Sequence, residues 1–264
     1  MCEFYIKSYW KMCNNDPDIL LCWFWNIGQR MYPEYNKLWW LDIYDPNVES
    51  AIRDFNYIKD YYDFAILCLP TPTENGICDT SIVEEMIDKL HNRVWVIVIR
   101  STVPVGFTNK MSERYLNVIF CPEFYWTTQH EVKNDFLILW WDRDLCNKVA
   151  QLYYKVKPAD FKIKFYDNPA TAEMIKYMEN CFLATKVVFC NSFALACWKA
   201  GIEYEDVREG FLMDQRMNPS HTIAYKWQPY YDSHCLNKDI PAFANQFNDE
   251  FMKMVDSINN KRKH

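Results

Sequence analysis

The run Asp63-Phe64-Ala65-Ile66-Leu67-Cys68-Leu69 constrains this chain more than any other stretch. A continuous apolar run this short, stopped by Pro70-Thr71-Pro72-Thr73, reads as a strand covered on both faces. A strand of that kind belongs in a parallel sheet with helices packed on either side. Val94 to Ile99 repeats the pattern, and further apolar runs occur at Ile19 to Trp25, Leu38 to Tyr44, Val118 to Phe120 and Phe136 to Trp141. Helical stretches separate several of them, as after Asp79-Thr80-Ser81, where Asp or Thr can cap a helix start. Apolar strands alternating with helices predict an α/β domain with a doubly wound parallel sheet. A turn is expected at Asn75-Gly76.

Past Asp167 the pattern changes. Asn168-Pro169 gives an N-cap followed by proline at the first helical position, and the next glycine is Gly201. One long helix is therefore expected from Pro169 to Ala200, with Gly201 as its terminator. Its apolar residues lie on more than one face, so it should be buried and contribute a homodimer interface. The division that follows is residues 1–166 for the sheet domain and 167–264 for a smaller all-helical domain.

Composition narrows the function. The net charge of −6 argues against a nucleic-acid binder, and the basic tail Lys261-Arg262-Lys263-His264 reads as solvated. No apolar run was expected to reach bilayer-spanning length, and no secretory signal is visible at the N-terminus. The eleven cysteines form no Cys-x-x-Cys pair, which fits reduced thiols in a cytoplasmic setting and no metal site. Only five glycines occur, so few positions remain where the backbone can take positive φ or approach a phosphate closely.

That scarcity bears on the turn after the first strand, where a dinucleotide-binding unit carries Gly-x-Gly-x-x-Gly. Set against that fingerprint, Trp25, Ile27 and Arg30 fall on the glycine positions and Gly28 is one place out of register. Asp45 ends the second strand at the spacing of an acid that accepts ribose hydroxyls, and Asp42 is the alternative. An Asp-Pro turn accounts for Asp45 equally well.

The segment Tyr231-Asp232-Ser233-His234-Cys235-Leu236-Asn237-Lys238-Asp239 sets a thiol in a loop with a cation and a carboxylate close behind it. It resembles the cysteine segment of the UDP-glucose/GDP-mannose dehydrogenase family, Gly-Phe-Gly-Gly-x-Cys-Leu-Pro-Lys-Asp, although the glycines and the proline are replaced. Other segments resemble the same family in order: Leu69-Pro70-Thr71-Pro72-Thr73, Arg100-Ser101-Thr102-Val103-Pro104-Val105-Gly106, Pro122-Glu123-Phe124, and the helix Ala172-Glu173-Met174-Ile175-Lys176 through Asn180 to Ala184. Together they span roughly residues 20 to 243.

The resemblance implies a Rossmann-type domain followed by the helical domain, and oxidation of a nucleotide sugar with NAD as cofactor. By that resemblance Cys235 is the nucleophile that forms a thiohemiacetal and then a thioester. Lys176 and Asn180, four apart on a helix, would donate to the developing oxyanion. Asp239 would assist proton transfer, and Glu123 and Thr102 would hold the hydrolytic water. Gly28, Asp45, Pro70, Thr71, Thr102 and Lys238 would line the cofactor. A solvated surface role is the plain alternative for Lys176. The family's second glutamate corresponds to Thr127, and its third domain has no counterpart in these residues. Two other readings stay open: a catalytically silent scaffold of the same fold, or a dehydrogenase acting on GDP-mannose or UDP-N-acetylmannosamine.

Overall fold

The computed structural model describes residues 17–24, 27–36, 40–124, 136–140, 143–157 and 160–263. Its described part divides into two compact units. The first holds residues up to 71, with 80–124 and 136–174; the second holds 72–79 and 175–263.

The first unit is a seven-stranded sheet in the order β2-β1-β3-β6-β7-β8-β9. The strands are β1 (Ile19–Cys22), β2 (Leu41–Tyr44), β3 (Tyr62–Leu67), β6 (Val94–Ile99), β7 (Val118–Phe120), β8 (Phe136–Trp140) and β9 (Lys162–Tyr166). The first five are mutually parallel; β8 runs antiparallel to β7, and β9 runs parallel to β8. Strands β1, β3 and β6 are buried at every position, as their largely apolar sequences require, with Asp63 the one acid among them. The helices α1 (Ile27–Tyr35), α2 (Ser81–Leu90), α3 (Phe107–Ser112) and α4 (Arg143–Val156) complete the winding. One core cluster joins Ile19, Leu21, Phe64, Ile66, Val96 and Val98 to Met31 of α1 and to Val149 and Tyr153 of α4. Each such fully buried aliphatic side chain contributes roughly 1.5–3 kcal/mol. Because β2 and β3 flank β1, the strand order reverses there, which is where open sheets of this kind take their ligands.

The second unit contains the hairpin β4 (Thr73–Glu74) and β5 (Ile77–Cys78), most of α5 (Pro169–Ala200), and α6 (Tyr204–Leu212), α7 (His234–Gln246) and α8 (Glu250–Lys263). The hairpin turns at Asn75 (φ 51°) and Gly76 (φ 75°), the left-handed pair that a two-residue hairpin needs. The ends of α5 follow from their sequence. Asn168 Oδ1 accepts from the Ala170 amide at 3.0 Å. At the far end Gly201 takes φ 71°, and the amides of Gly201 and Ile202 bond back to the carbonyls of Trp198 and Cys197. Cys181, Ala184 and Val188 of α5 pack against Leu236 and Ile240 of α7 and Met252 and Val255 of α8.

One composition-based expectation is corrected. Helix α5 is long and apolar enough to cross a bilayer, with a window of mean hydropathy 1.5, of which 39% is buried. The apolar run was hidden in the sequence because Lys186 and scattered Asn, Ser and Thr interrupt it without breaking the helix.

Candidate active site

In the second unit, Cys235 lies in the first turn of α7, not in a loop. Ser233 explains the change: it is extended (φ −121°, ψ 147°), and its side chain accepts from the Leu236 amide at 3.1 Å. A serine N-cap thus starts a helix where the family-like pattern, with its proline four residues from the cap, had read as loop. The thiol is left partly exposed at the positive end of a helix. Cys22, Cys68, Cys121, Cys146, Cys181, Cys190 and Cys197 are all buried. Burial pushes the Cys68 and Cys181 thiols up to about 12, with Asp239 adding to the effect at Cys181 and Arg100 opposing it at Cys68.

Asp239, one turn after the thiol in α7, is the centre of two hydrogen bonds, one buried and one part-buried. Asp239, 2% exposed, accepts from Lys238 Nζ on Oδ1 at 2.5 Å and from Asn180 Nδ2 on Oδ2 at 2.6 Å. Burial opposes charge on Lys238, yet attraction and a hydrogen bond from Asp239 hold its ammonium above the ordinary lysine value, and Cys235 and Cys78 add to this. Lys238 is therefore a cation in electrostatic reach of Cys235. Lys176 is only 4% exposed and has Glu179 Oε2 at 3.6 Å. That excludes a solvated helix lysine, since an ammonium is buried only where partners offset its desolvation.

In the first unit, Thr102 and Glu123 are both buried. They sit just past the C-terminal ends of the adjacent parallel strands β6 and β7. The Thr71 hydroxyl donates to the Thr102 carbonyl at 2.8 Å, and Ser101 Oγ donates to the Leu69 carbonyl at 2.7 Å. The Pro70-Thr71 and Ser101-Thr102 segments are thus tied to each other. Glu173 is a further participant, singled out by no sequence argument beyond its place in a motif. It is fully buried at the start of α5, and its carboxylate accepts from the Gly106 amide at 2.5 Å and the Thr108 amide at 2.8 Å. An acid three residues before Lys176 was the available signal.

The turn after β1 corrects the sequence alignment of the fingerprint. Strand β1 ends at Cys22, and the chain turns at Trp23, which takes φ 76°. The six-residue fingerprint therefore runs from Trp23 to Gly28, placing Gly28 in its last position rather than out of register. A Cβ on Gly28 would stand 2.3 Å from the Trp23 carbonyl oxygen, the close helix–strand approach for which that glycine exists. Ile27 and Arg30 are ordinary residues of α1, while Trp25 and Thr127 lie outside the described residues.

The frame for a dinucleotide is present, but its phosphate cradle does not fit the usual pose. Trp23 puts an indole where the first glycine leaves bare backbone, in a conformation that costs an ordinary L-residue about 1–2 kcal/mol. Asp45 is buried, and its two oxygens accept from the amides of Phe24 and Asn47, each at 2.9 Å. The carboxylate expected on a ribose thus staples its own turn to the β1 loop. Asp42 accepts from the Tyr62 hydroxyl at 2.8 Å and pairs with Lys59 at 3.1 Å.

Fold and site together define a doubly wound nucleotide-binding-type domain joined to a helical domain that carries a thiol with its own largely covered ion pair. Residues 170–261 match the model of the UDP-glucose/GDP-mannose dehydrogenase family, central domain. The UDP-glucose 6-dehydrogenase of Rickettsia prowazekii is 33% identical over 204 residues, 70% of this chain and 45% of that protein. The UDP-glucose 6-dehydrogenase of Bacillus subtilis is 30% identical over 258 residues, 83% of this chain and 56% of that protein. Among solved structures, the UDP-D-ManNAc dehydrogenase of Pyrococcus horikoshii superposes with a TM-score of 0.76 at 20% identity, covering 93% of this chain and 68% of that one. The UDP-glucose dehydrogenase of Pyrobaculum islandicum gives 0.75 at 19%, covering 94% and 69%. This chain belongs to the UDP-glucose/GDP-mannose dehydrogenase family. It spans about half the length of the curated relatives it matches.

Proposed function

We propose that this chain carries the thiol chemistry of a nucleotide-sugar dehydrogenase of the UDP-glucose type. The observation that carries the reading is Cys235 in the first turn of α7, with Asp239 one turn on joining Lys238 and Asn180 by hydrogen bonds. The thiolate adds to a sugar aldehyde carbon, and the carbonyl becomes an oxyanion. Lys176 and Asn180 project from one side of α5 and supply donors for that charge. Asp239 orients both Lys238 and Asn180, so its first role is to fix donor positions. Thr102 and Glu123 are assigned to the water that would hydrolyse a thioester. Relatives of this family imply a nicotinamide cofactor as the oxidant, bound at the β1 turn with Gly28, Pro70, Thr71 and Thr102 on the same unit. Because Trp23 and Asp45 do not fit that pose, NAD affinity is expected to fall roughly a hundredfold or more, two lost charge-assisted contacts being about 3–6 kcal/mol.

The Trp23 turn also favours a second reading, a silent scaffold that keeps the fold without turnover. One experiment separates the two. The protein is incubated with UDP-glucose and millimolar NAD, absorbance of the reduced cofactor is followed, and the quenched Cys235 peptide is weighed. Reduced cofactor together with a sugar adduct on Cys235 supports the dehydrogenase; neither signal leaves the scaffold standing.

The same proposal includes a cytosolic homodimer. The nine described cysteines are all free thiols. Met178, Phe182, Phe189 and Phe193 form an exposed apolar stripe along α5, with Phe182 61% exposed. Light scattering should give twice the chain mass, and Phe182→Glu with Phe189→Glu should return it to a monomer.

A further inference from the structure

Asn259 is buried in α8, 1% exposed, and no step of the proposed chemistry uses it. Its amide oxygen accepts from the Tyr231 amide at 2.8 Å, and its Nδ2 donates to the Tyr231 carbonyl at 3.1 Å. One side chain thus satisfies both backbone groups of a distant residue, as a paired strand would. Tyr231 is itself buried and lies outside any helix or strand, so the loss of those two partners would be costly.

Two further contacts from the same face of α8 act on the same segment. Three residues before Asn259, Asp256 Oδ1 accepts from the Tyr231 hydroxyl at 3.3 Å. Four residues after it, Lys263 Nζ donates to Asp232 Oδ1 at 2.5 Å. Asn237 Nδ2 donates to the same oxygen at 2.7 Å, so Asp232 is shared between α8 and α7. Those two bonds, Lys263 first, hold the Asp232 carboxyl below its ordinary range.

The clamped residues lead directly into the thiol. Ser233, the N-cap of α7, follows Asp232, and Cys235 stands two residues further on. The glycines of the family-like pattern are replaced here by Tyr230, Asp232 and Ser233. Side chains therefore set the approach to the cap, and those that hold it come from α8 and α7. A displaced Tyr231 would carry Ser233 with it, and a serine out of reach of the Leu236 amide no longer starts the helix. Cys235 would then lose its place at the positive end of α7, where a thiolate is favoured.

We propose that Asn259 is a positioning residue for Cys235: it fixes Tyr231 so that Ser233 caps α7 with the thiol in its first turn. This rests on the reading of Cys235 as the reacting thiol.

The test is alkylation of the full chain with iodoacetamide across a range of pH, followed by mass at the Cys235 peptide. Asn259→Ala should move the midpoint of the pH–rate profile up by about one pH unit and slow the reaction about tenfold at neutral pH. Asn259→Ser, whose single hydroxyl can serve one of the two backbone groups but not both, should move it the same way by less, and is the variant to read where Asn259→Ala does not fold. Val255→Ala removes packing from the same helix and leaves the Tyr231 backbone bonds in place. It should lower stability without moving the profile. All three variants keep Asp232, Lys238 and Asp239 on the thiol's own segment and Asp256 and Lys263 on α8, so a moved profile reports position rather than a lost charge. A profile unmoved in the folded Asn259 variants, or moved equally by Val255→Ala, would overturn the proposal. Alkylation needs no turnover: a moved profile in a protein that forms no sugar adduct would support Asn259 as the clamp and count against the dehydrogenase reading alone.

Discussion

The turn after β1 and the first turn of α7 hold the two ends of one family's chemistry, and this chain has treated them differently. At α7 the family's glycines are gone, yet the working groups are present and satisfied: Ser233 caps the helix, and Asp239 holds both Lys238 and Asn180. At β1 the topology and the last glycine survive, but Trp23 occupies the first glycine position and Asp45 is spent on backbone amides. The difference is one of kind. Side-chain chemistry tolerates a changed backbone provided a new cap restarts the helix. Recognition of a phosphate by bare backbone has no such substitute, because any Cβ fills the space the ligand needs.

The largest effect should come from Asp239→Ala, which leaves the largely covered Lys238 ammonium and the buried Asn180 amide without their shared acceptor. A loss of about 3–5 kcal/mol is expected, read from urea midpoints. A loss below about 1 kcal/mol would show that the pair is effectively solvated and that the two regions are less different than argued.

Gly28→Ala comes next. Its new methyl would stand 2.3 Å from the Trp23 carbonyl oxygen, and forcing the strand–helix approach apart should cost about 2–3 kcal/mol. A Gly28→Ala protein as stable as the parent would mean that the turn yields easily, and that Gly28 is not the last fingerprint position in any structural sense.

A smaller effect, of about 1.4 kcal/mol or tenfold in rate, is expected in thiol labelling. Iodoacetamide at neutral pH should modify Cys235 before the seven buried cysteines, Cys78 being the other partly exposed described thiol. Lys238→Ala should slow the Cys235 reaction about tenfold by removing the nearby positive charge. Equal rates in parent and variant would show that the ammonium serves only Asp239.

The smallest effect concerns Glu173 and is one of slope. Burial raises its carboxyl above the ordinary 4.5, against hydrogen bonds from Thr108 and the Gly106 amide that lower it. A carboxyl whose folded value exceeds its unfolded one binds its proton more tightly when folded. Its contribution therefore favours the folded state below 4.5 and declines as pH rises from there through the raised folded value. Glu173→Gln should flatten that part of the stability profile in urea melts taken across the acidic range. An unchanged slope would assign the decline to other groups.

Much of this was written in the sequence, wherever the physics is local. The apolar runs of β3 and β6 required a covered parallel sheet, and Asn75-Gly76 required a turn. Asn168-Pro169 and Gly201 fixed both ends of α5 because capping depends on residues a few places apart. The ordered motifs placed Lys176, Asn180, Cys235 and Asp239 in one family. Tertiary structure decided what depends on residues far apart in the chain. That Lys176 is buried rather than solvated follows from what packs over it, and a side chain's burial is invisible in its own sequence. That Asp45 is spent on the Phe24 amide, 21 residues away, follows from β1 and β2 lying side by side. The fingerprint register turned on where β1 ends, which Trp23 sets by taking a left-handed conformation that its identity gave no reason to expect.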